Sequence, residues 1–364
     1  MPPPFVVIVR LVLGAAVLLL AVGPWFLGVA ELKLLTEFFC LLVLALMWNL
    51  LAGYADIVTV GQHAFVGVGA YGFYGFAVLG GVNPYTAILL AGMVALLFAL
   101  PAMAVVFRLR AAYLAVGTWV VAETLMLLAG KLTDFGGGSG VSLPVAVVKV
   151  FGSRAEERYA TIYWMAFALA IIAFASIYLL LRSRIGLGLT AMRDDEEAAG
   201  SVGVNLTRTR ILCFLGAAAF LGLAGALITL QKLRVAPPAS FSITDWTVFI
   251  IFIVVIGGIG SLEGPIIGTI LFIALREYLA GLGTWHLIIL GTISIVIILT
   301  EKRGLWGLIR RVWPVELFPT SHTSTLSWSA DRVRGGSPSP RCRRGCRGRG
   351  WRRGGRRRGG RTCR

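Results

Sequence analysis

Leu34-Leu35-Thr36-Glu37-Phe38-Phe39-Cys40-Leu41-Leu42-Val43-Leu44-Ala45-Leu46-Met47-Trp48-Asn49-Leu50-Leu51 carries a single charge, Glu37, in eighteen residues. A run of about 20 mostly apolar residues is long enough to cross a bilayer as a helix. Only a helix satisfies its own backbone polar groups in hydrocarbon without a closed sheet. Similar runs recur along the chain, at 11–30, 61–81, 85–107, 113–130, 160–181, 211–230, 246–262, 266–282 and 285–300. The expected fold is therefore an all-α, polytopic transmembrane bundle of about 8–10 spans. The first run is followed at once by a second and lacks a small-residue cleavage site, so it reads as a helix and not as a leader.

Bulk composition agrees. Of 364 residues 57% are hydrophobic and only 14% charged, whereas soluble domains carry about 25% charge. Mean hydropathy is +0.84. The net charge of +17 is concentrated at one end: residues 320–364 hold 14 Arg and one Asp. That Arg/Gly/Ser/Pro tail has too little aliphatic content to bury a core and reads as disordered. Three readings of it stay open: an RGG-like nucleic-acid segment, a contact with anionic lipid, or translation past a frameshift in a GC-rich gene. The domain organisation is a membrane domain over 1–310 and this tail over 320–364.

Lys and Arg in short loops set orientation. The loop 182–210 carries Arg182, Arg184, Arg193, Arg208 and Arg210, and the segment after the last span carries Lys302, Arg303, Arg310 and Arg311. Both are expected in the cytoplasm, and ten spans put them on one side. The Gly-rich run Gly257-Gly258-Ile259-Gly260-Ser261-Leu262-Glu263-Gly264-Pro265, with Gly268 beyond it, is denser in glycine than helix packing requires. A break in the helix is expected there. The four-residue spacings Gly260, Gly264, Gly268 and Ala218, Gly222, Ala226 suit close helix approach.

Enzyme signatures are lacking. His63, His286 and His322 form no metal-binding helix pair, and Gly136-Gly137-Gly138-Ser139-Gly140 lacks the Lys of a phosphate loop. A membrane-embedded transferase would need paired titratable groups, for which His63 with Asp56 is the sole candidate. No cofactor or metal is expected on this chain. Polar residues within apolar spans mark functional positions by default. Asn49, Gln62, His63 and Glu123 are candidates for a translocation pathway, with inter-helix hydrogen bonding as the plainer alternative. A secondary transporter would want midplane carboxylates, and only Glu123 qualifies.

The loop 182–210 contains Ala191-Met192-Arg193-Asp194-Asp195-Glu196-Glu197-Ala198-Ala199, then Gly203. Residues 190–200 favour a short helix, and Gly203 suits its termination. Glu197-Ala198-Ala199 followed by Gly203 has the form EAAxxxG. This resembles the coupling loop of the permease subunits of bacterial ABC importers. The wider Arg-Asp-Asp-Glu stretch resembles the LivM-type branched-chain amino-acid permeases. Asn49-Leu50-Leu51-Ala52-Gly53-Tyr54 with Gly61-Gln62-His63-Ala64-Phe65, and the run from Gly257 to Gly268, are similar to that family's early helices and late Gly-rich element. The resemblance covers about 35–310. It departs in lacking the Ile-x-Leu-Pro of importers in general, and the tail has no counterpart.

The resemblance implies an inner-membrane importer subunit for branched-chain amino acids, with urea or short amides as the alternative cargo. It implies a second homologous permease, two cytoplasmic ATPases that use the ATP, a periplasmic binding protein and surrounding lipid as partners, and no nucleic acid. Arg193, Asp194, Asp195 and Glu197 would contact the ATPase, with Ala198, Ala199 and Gly203 permitting the fit.

Overall fold

The computed structural model describes residues 14–312 apart from 107, 110–111, 202, 280, 282–284 and 301–303. The Arg/Gly tail and Asp331 within it lie outside the described residues. The helices are α1 Gly14–Trp25, α2 Val29–Tyr54, α3 Gln62–Tyr74, α4 Pro84–Val106, α5 Ala112–Ala129, α6 Val145–Lys149 and α7 Ala155–Arg182. They continue with α8 Arg184–Asp194, α9 Glu196–Ser201, α10 Leu206–Lys232, α11 Pro237–Ser240, α12 Phe249–Gly257, α13 Gly264–Leu279, α14 Trp285–Thr300 and α15 Gly304–Val312. One two-residue pairing, β1 Val141–Ser142 against β2 Arg234–Val235, is antiparallel.

All ten apolar runs appear as helix, but they differ in length. Five are long and apolar enough to cross a membrane: Val29–Tyr54, Pro84–Ala104, Ala155–Arg182, Leu206–Lys232 and Pro237–Gly257. A sixth arises if Tyr113–Ala129 is joined to Thr133–Ser139 across an 88° bend. The run at 61–81 continues past α3 through a π-helical turn, Gly75–Leu79, and those at 266–282 and 285–300 yield helices of 16 residues each; all three fall short of the ~20 that span a bilayer unaided. The protein is a multi-pass membrane protein whose spans are unequal.

α2 and α10 form the interior. α10 packs on α3, α4, α2 and α7, and α2 also meets α7, α12 and α13. Small residues allow the closest crossing: a Cβ on Gly69 would collide with the Gly222 backbone, and one on Gly225 with the Val66 carbonyl. Without a hydrophobic drive between helices in lipid, such approach supplies much of the association energy through dispersion. Cys40 and Cys213 are buried and unpaired to one another, filling space as small hydrophobes.

The two basic segments do lie at one end. Arg193 donates to the Gly260 carbonyl at 3.5 Å, and a Cβ on Gly304, which opens α15, would meet Gly258 at 2.7 Å. Arg210 Nε donates to the Ala55 carbonyl at the foot of α2. The β1–β2 pair sits at the opposite end of α10, where Leu143 N donates to the Leu233 carbonyl.

A bidentate ion pair, absent from the sequence reading, ties α13 to α2. Arg276 Nη1 and Nη2 reach Glu37 Oε1 and Oε2, each at 2.8 Å, and the guanidinium rests 5.8 Å from the Phe272 ring. Arg276→Leu leaves Glu37 partly buried without its cation. Charge-assisted hydrogen bonds contribute about 1.5–3 kcal/mol each where well formed, less at this partial exposure. The expected result is a melting temperature several degrees lower in detergent, largely restored by adding Glu37→Leu, because removing the orphaned carboxylate removes its penalty.

Candidate functional site

Two places gather the polar residues: the loop end around Gly260 and the start of α3. Asn49, buried near the foot of α2, accepts from Gly260 N at 2.8 Å through Oδ1 and donates to the Ser261 carbonyl at 2.8 Å through Nδ2. The expected helix break is present there. α12 ends at Gly257, Gly258 and Gly260 take φ of +125° and +74°, and α13 opens with Gly264 and Pro265. Proline suits a first helical turn, where its missing N–H has no partner to lose. Gly268, one turn further, abuts the Ile253 carbonyl of α12, so the two short helices lie tightly together. Asn49 therefore belongs to this clamp. The structure does not group it with Gln62 and His63.

The loop 182–210 folds with two short helices where a single one is expected over 190–200. Ser183 caps α8 by accepting from Ile185 N and Gly186 N. α8 ends at Asp194, Asp195 is extended (φ −159°, ψ 112°), and α9 follows at once. Gly203 terminates α9 in a left-handed conformation, φ +93°. Val204 N bonds the Ala199 carbonyl and Gly203 N the Gly200 carbonyl, the double bond of a Schellman stop. Leu189, Met192 and Ala199 are buried and fix the helix pair, while Arg193, Asp195 and Glu197 are exposed. The side chains of Asp194 and Ala198 lie outside the described residues. Arg193 also lies 6.0 Å from the Tyr54 ring, so the loop touches both the foot of α2 and the break at Gly260.

The second place lies deeper. After α2 the chain turns back without regular structure over 55–61, and α3 begins at Gln62. Trp48 Nε1 donates to the Thr59 carbonyl at 3.0 Å. Trp48 lies six residues before the end of α2, roughly 9 Å along the axis, so α3 starts inside the bundle. Its first turn is braced on both sides. Val60 N donates to Thr118 Oγ1 of α5, and His63 Nδ1 lies 2.8 Å from Thr247 Oγ1, in the turn before α12. His63 Nε2 is 3.9 Å from Glu123 Oε1 of α5, and Glu123 accepts from Trp119 Nε1. The structure thus brings Gln62, His63 and Glu123 together. Asp56 stands beside Arg210 at 3.9 Å, so the His63–Asp56 pairing considered from sequence has no support.

Thr59, Thr118 and Thr247 were not singled out in the sequence. A threonine in an apolar helix bonds its own i−3 or i−4 carbonyl by default, as Thr118 also does with Leu114 and Ala115, so composition alone gives no signal for a second role.

Comparison with known proteins adds to this geometry. A family model described as branched-chain amino acid transport system / permease component matches residues 31–299. The high-affinity branched-chain amino acid transport system permease protein LivM of Salmonella typhimurium is 26% identical over 323 residues, covering 83% of this chain and 76% of that protein. The Escherichia coli protein of the same name is 28% identical over 320 residues, 81% and 74% of the two chains. A probable branched-chain amino acid transport permease protein LivM of Methanocaldococcus jannaschii is 27% identical over 192 residues, 52% and 53%. No solved structure matches.

Proposed function

We propose a function whose premise is family membership: the chain belongs to the permease components of branched-chain amino acid transport systems. It is a transport subunit, not an enzyme. In this reading it lines the route by which branched-chain amino acids cross the bacterial inner membrane. A second permease of the same kind completes the route, a periplasmic protein delivers the amino acid, and two cytoplasmic ATPases drive the cycle. α8 and α9 are the element the ATPase grips, and Arg193, Asp195 and Glu197 are its polar contacts.

One observation carries this reading above all. The helix pair α8–α9 is hydrogen-bonded through Arg193 to Gly260, in the break between α12 and α13. A push on α8 and α9 therefore reaches the feet of α2, α12 and α13 directly, as coupling of ATP binding to helix rocking requires.

The test is affinity purification of the tagged chain from native membranes in mild detergent, with mass spectrometry of what accompanies it. A second permease and P-loop ATPases are expected. Recovery of the chain alone across several gentle detergents overturns the assembly.

A further inference from the structure

The start of α3 keeps hydrogen-bonding capacity that nothing among the described residues uses. Gln62 and His63 are fully buried, and Gln62 Oε1 and His63 Nε2 have no hydrogen-bond partner among the described residues. A buried polar atom left without a partner costs about 1–3 kcal/mol, and native structures rarely retain two in adjacent residues. Both sit on the first turn of a 13-residue helix whose N-cap, Gly61, offers no side chain. His63 N is taken by Thr247 Oγ1 and Ala64 N by the Gly61 carbonyl, so what favours an anion at that point is the positive end of the helix dipole.

Beside the same turn lies a cavity of about 210 Å³. Ala64, Phe65, Phe98, Ala102, Val121 and Phe214 form its apolar walls. Thr59, which accepts from Gln62 Nε2, and Thr118, which braces Val60, bring it to the polar cluster. An apolar cavity of about 150 Å³ takes up benzene, with six carbons, so this one has room for a branched side chain of three or four.

The geometry points to this corner as the site where the transported amino acid is held within the membrane, an inference that rests on the function proposed above. The α-carboxylate takes His63 Nε2, at the positive end of the α3 dipole. With Nδ1 accepting from the Thr247 hydroxyl, Nε2 carries the proton and donates. The α-ammonium takes Gln62 Oε1 and Glu123, whose side chain is one-third exposed and keeps the corner open to an entering solute. The aliphatic side chain fills the cavity. Each part of a zwitterionic, apolar amino acid thereby meets its complement, and the unused polar atoms gain partners. A lipid tail would fill the cavity but leave those atoms bare.

The test uses the complete importer in liposomes with its binding protein unchanged, and follows uptake of labelled leucine and labelled valine. Ala102→Leu intrudes on the cavity from α4, at a position only partly buried, so folding is little disturbed; Ala102→Val serves as a milder form. One methylene in an apolar pocket discriminates by about 10–200-fold, so the leucine-to-valine uptake ratio is expected to fall at least tenfold in Ala102→Leu and less in Ala102→Val. Gln62→Leu is expected to lower uptake of both without changing their ratio, because it acts on the groups all amino acids share.

If the wild-type importer moves neither amino acid, the functional reading fails and the site falls with it. If wild type moves both and neither Ala102 variant shifts the ratio, the cavity holds lipid or nothing, and the site alone falls. Unchanged uptake in Gln62→Leu removes its polar half.

Discussion

Glu197→Lys is expected to leave the protein in the membrane at normal abundance and to abolish ATP-driven uptake. The first half follows from burial. Glu197 is exposed on α9, whereas the helix pair is held by Leu189, Met192 and Ala199 and by the hydrogen bonds that stop α9 at Gly203. None of these involves the Glu197 side chain, and surface substitutions of this kind usually shift stability by no more than about 0.5 kcal/mol. The second half follows from the docking role. A reversed charge facing a partner's cation costs several kcal/mol in association, and each ~1.4 kcal/mol is a factor of ten. Uptake by membrane vesicles, normalised to the amount of protein, is therefore expected to fall by at least about a hundredfold. ATPase activity stimulated by the loaded binding protein should be lost with it. Glu197→Gln, which removes the charge without reversing it, should fall between. Normal uptake by Glu197→Lys would sink the coupling role.

The parts of the structure that the sequence makes legible are those set by local chemistry. The break near Gly260 is visible because Gly257, Gly258, Gly260 and Pro265 each favour leaving a helix. Gly203 is visible as a terminator because the left-handed conformation is open to glycine at little cost. What is hidden depends on partners distant in the chain. α2 and α4 have similar mean hydropathy, 2.1 and 2.4, yet 78% of the first window is buried against 33% of the second. In lipid both faces of a helix are apolar whether they meet protein or hydrocarbon, so hydropathy finds the spans but not which lie inside. The interruption ahead of α3 is visible, since the runs 34–51 and 61–81 leave a gap where the irregular stretch 55–61 lies. What holds it is hidden: Trp48, eleven residues before Thr59, is near in sequence, but Thr118 and, for the turn that follows, Thr247 are far away. The split at Asp195 also escapes: Asp is a weak helix former and a good N-cap, but the flanking Glu and Ala residues favour helix strongly enough to mask it. Asn49 was legible as a buried polar residue but not as a clamp, because Gly260 and Ser261 lie over two hundred residues away.

That clamp yields the other large effect. Asn49→Leu keeps the size and apolar character a span tolerates but removes both hydrogen bonds to the loop. Gly260 N–H and the Ser261 carbonyl then lose their partner in a partly buried position, at about 1–3 kcal/mol each. Gly260 is the residue whose N–H is held by α2 and whose carbonyl is held by Arg193 of α8. Its position is thus the meeting point of the span and the helix pair. Loosening it should lower the melting temperature of the purified chain by several degrees. More tellingly, it should let α8 and α9 move without carrying α12 and α13 with them. The expected signature is partial uncoupling, with assembly and basal ATPase activity retained while uptake per ATP falls several-fold. Gly53→Ala tests the same joint from the opposite side. Its new Cβ would stand 2.6 Å from Gly260 N, 2.7 Å from Asn49 Oδ1 and 2.9 Å from Gly260 Cα, so the loop and the Asn49 amide must move apart although both hydrogen-bonding groups are still present. If the joint transmits the motion, both variants uncouple. If Asn49 only stabilises the bundle, Asn49→Leu lowers the melting temperature while uptake per ATP stays at the wild-type value.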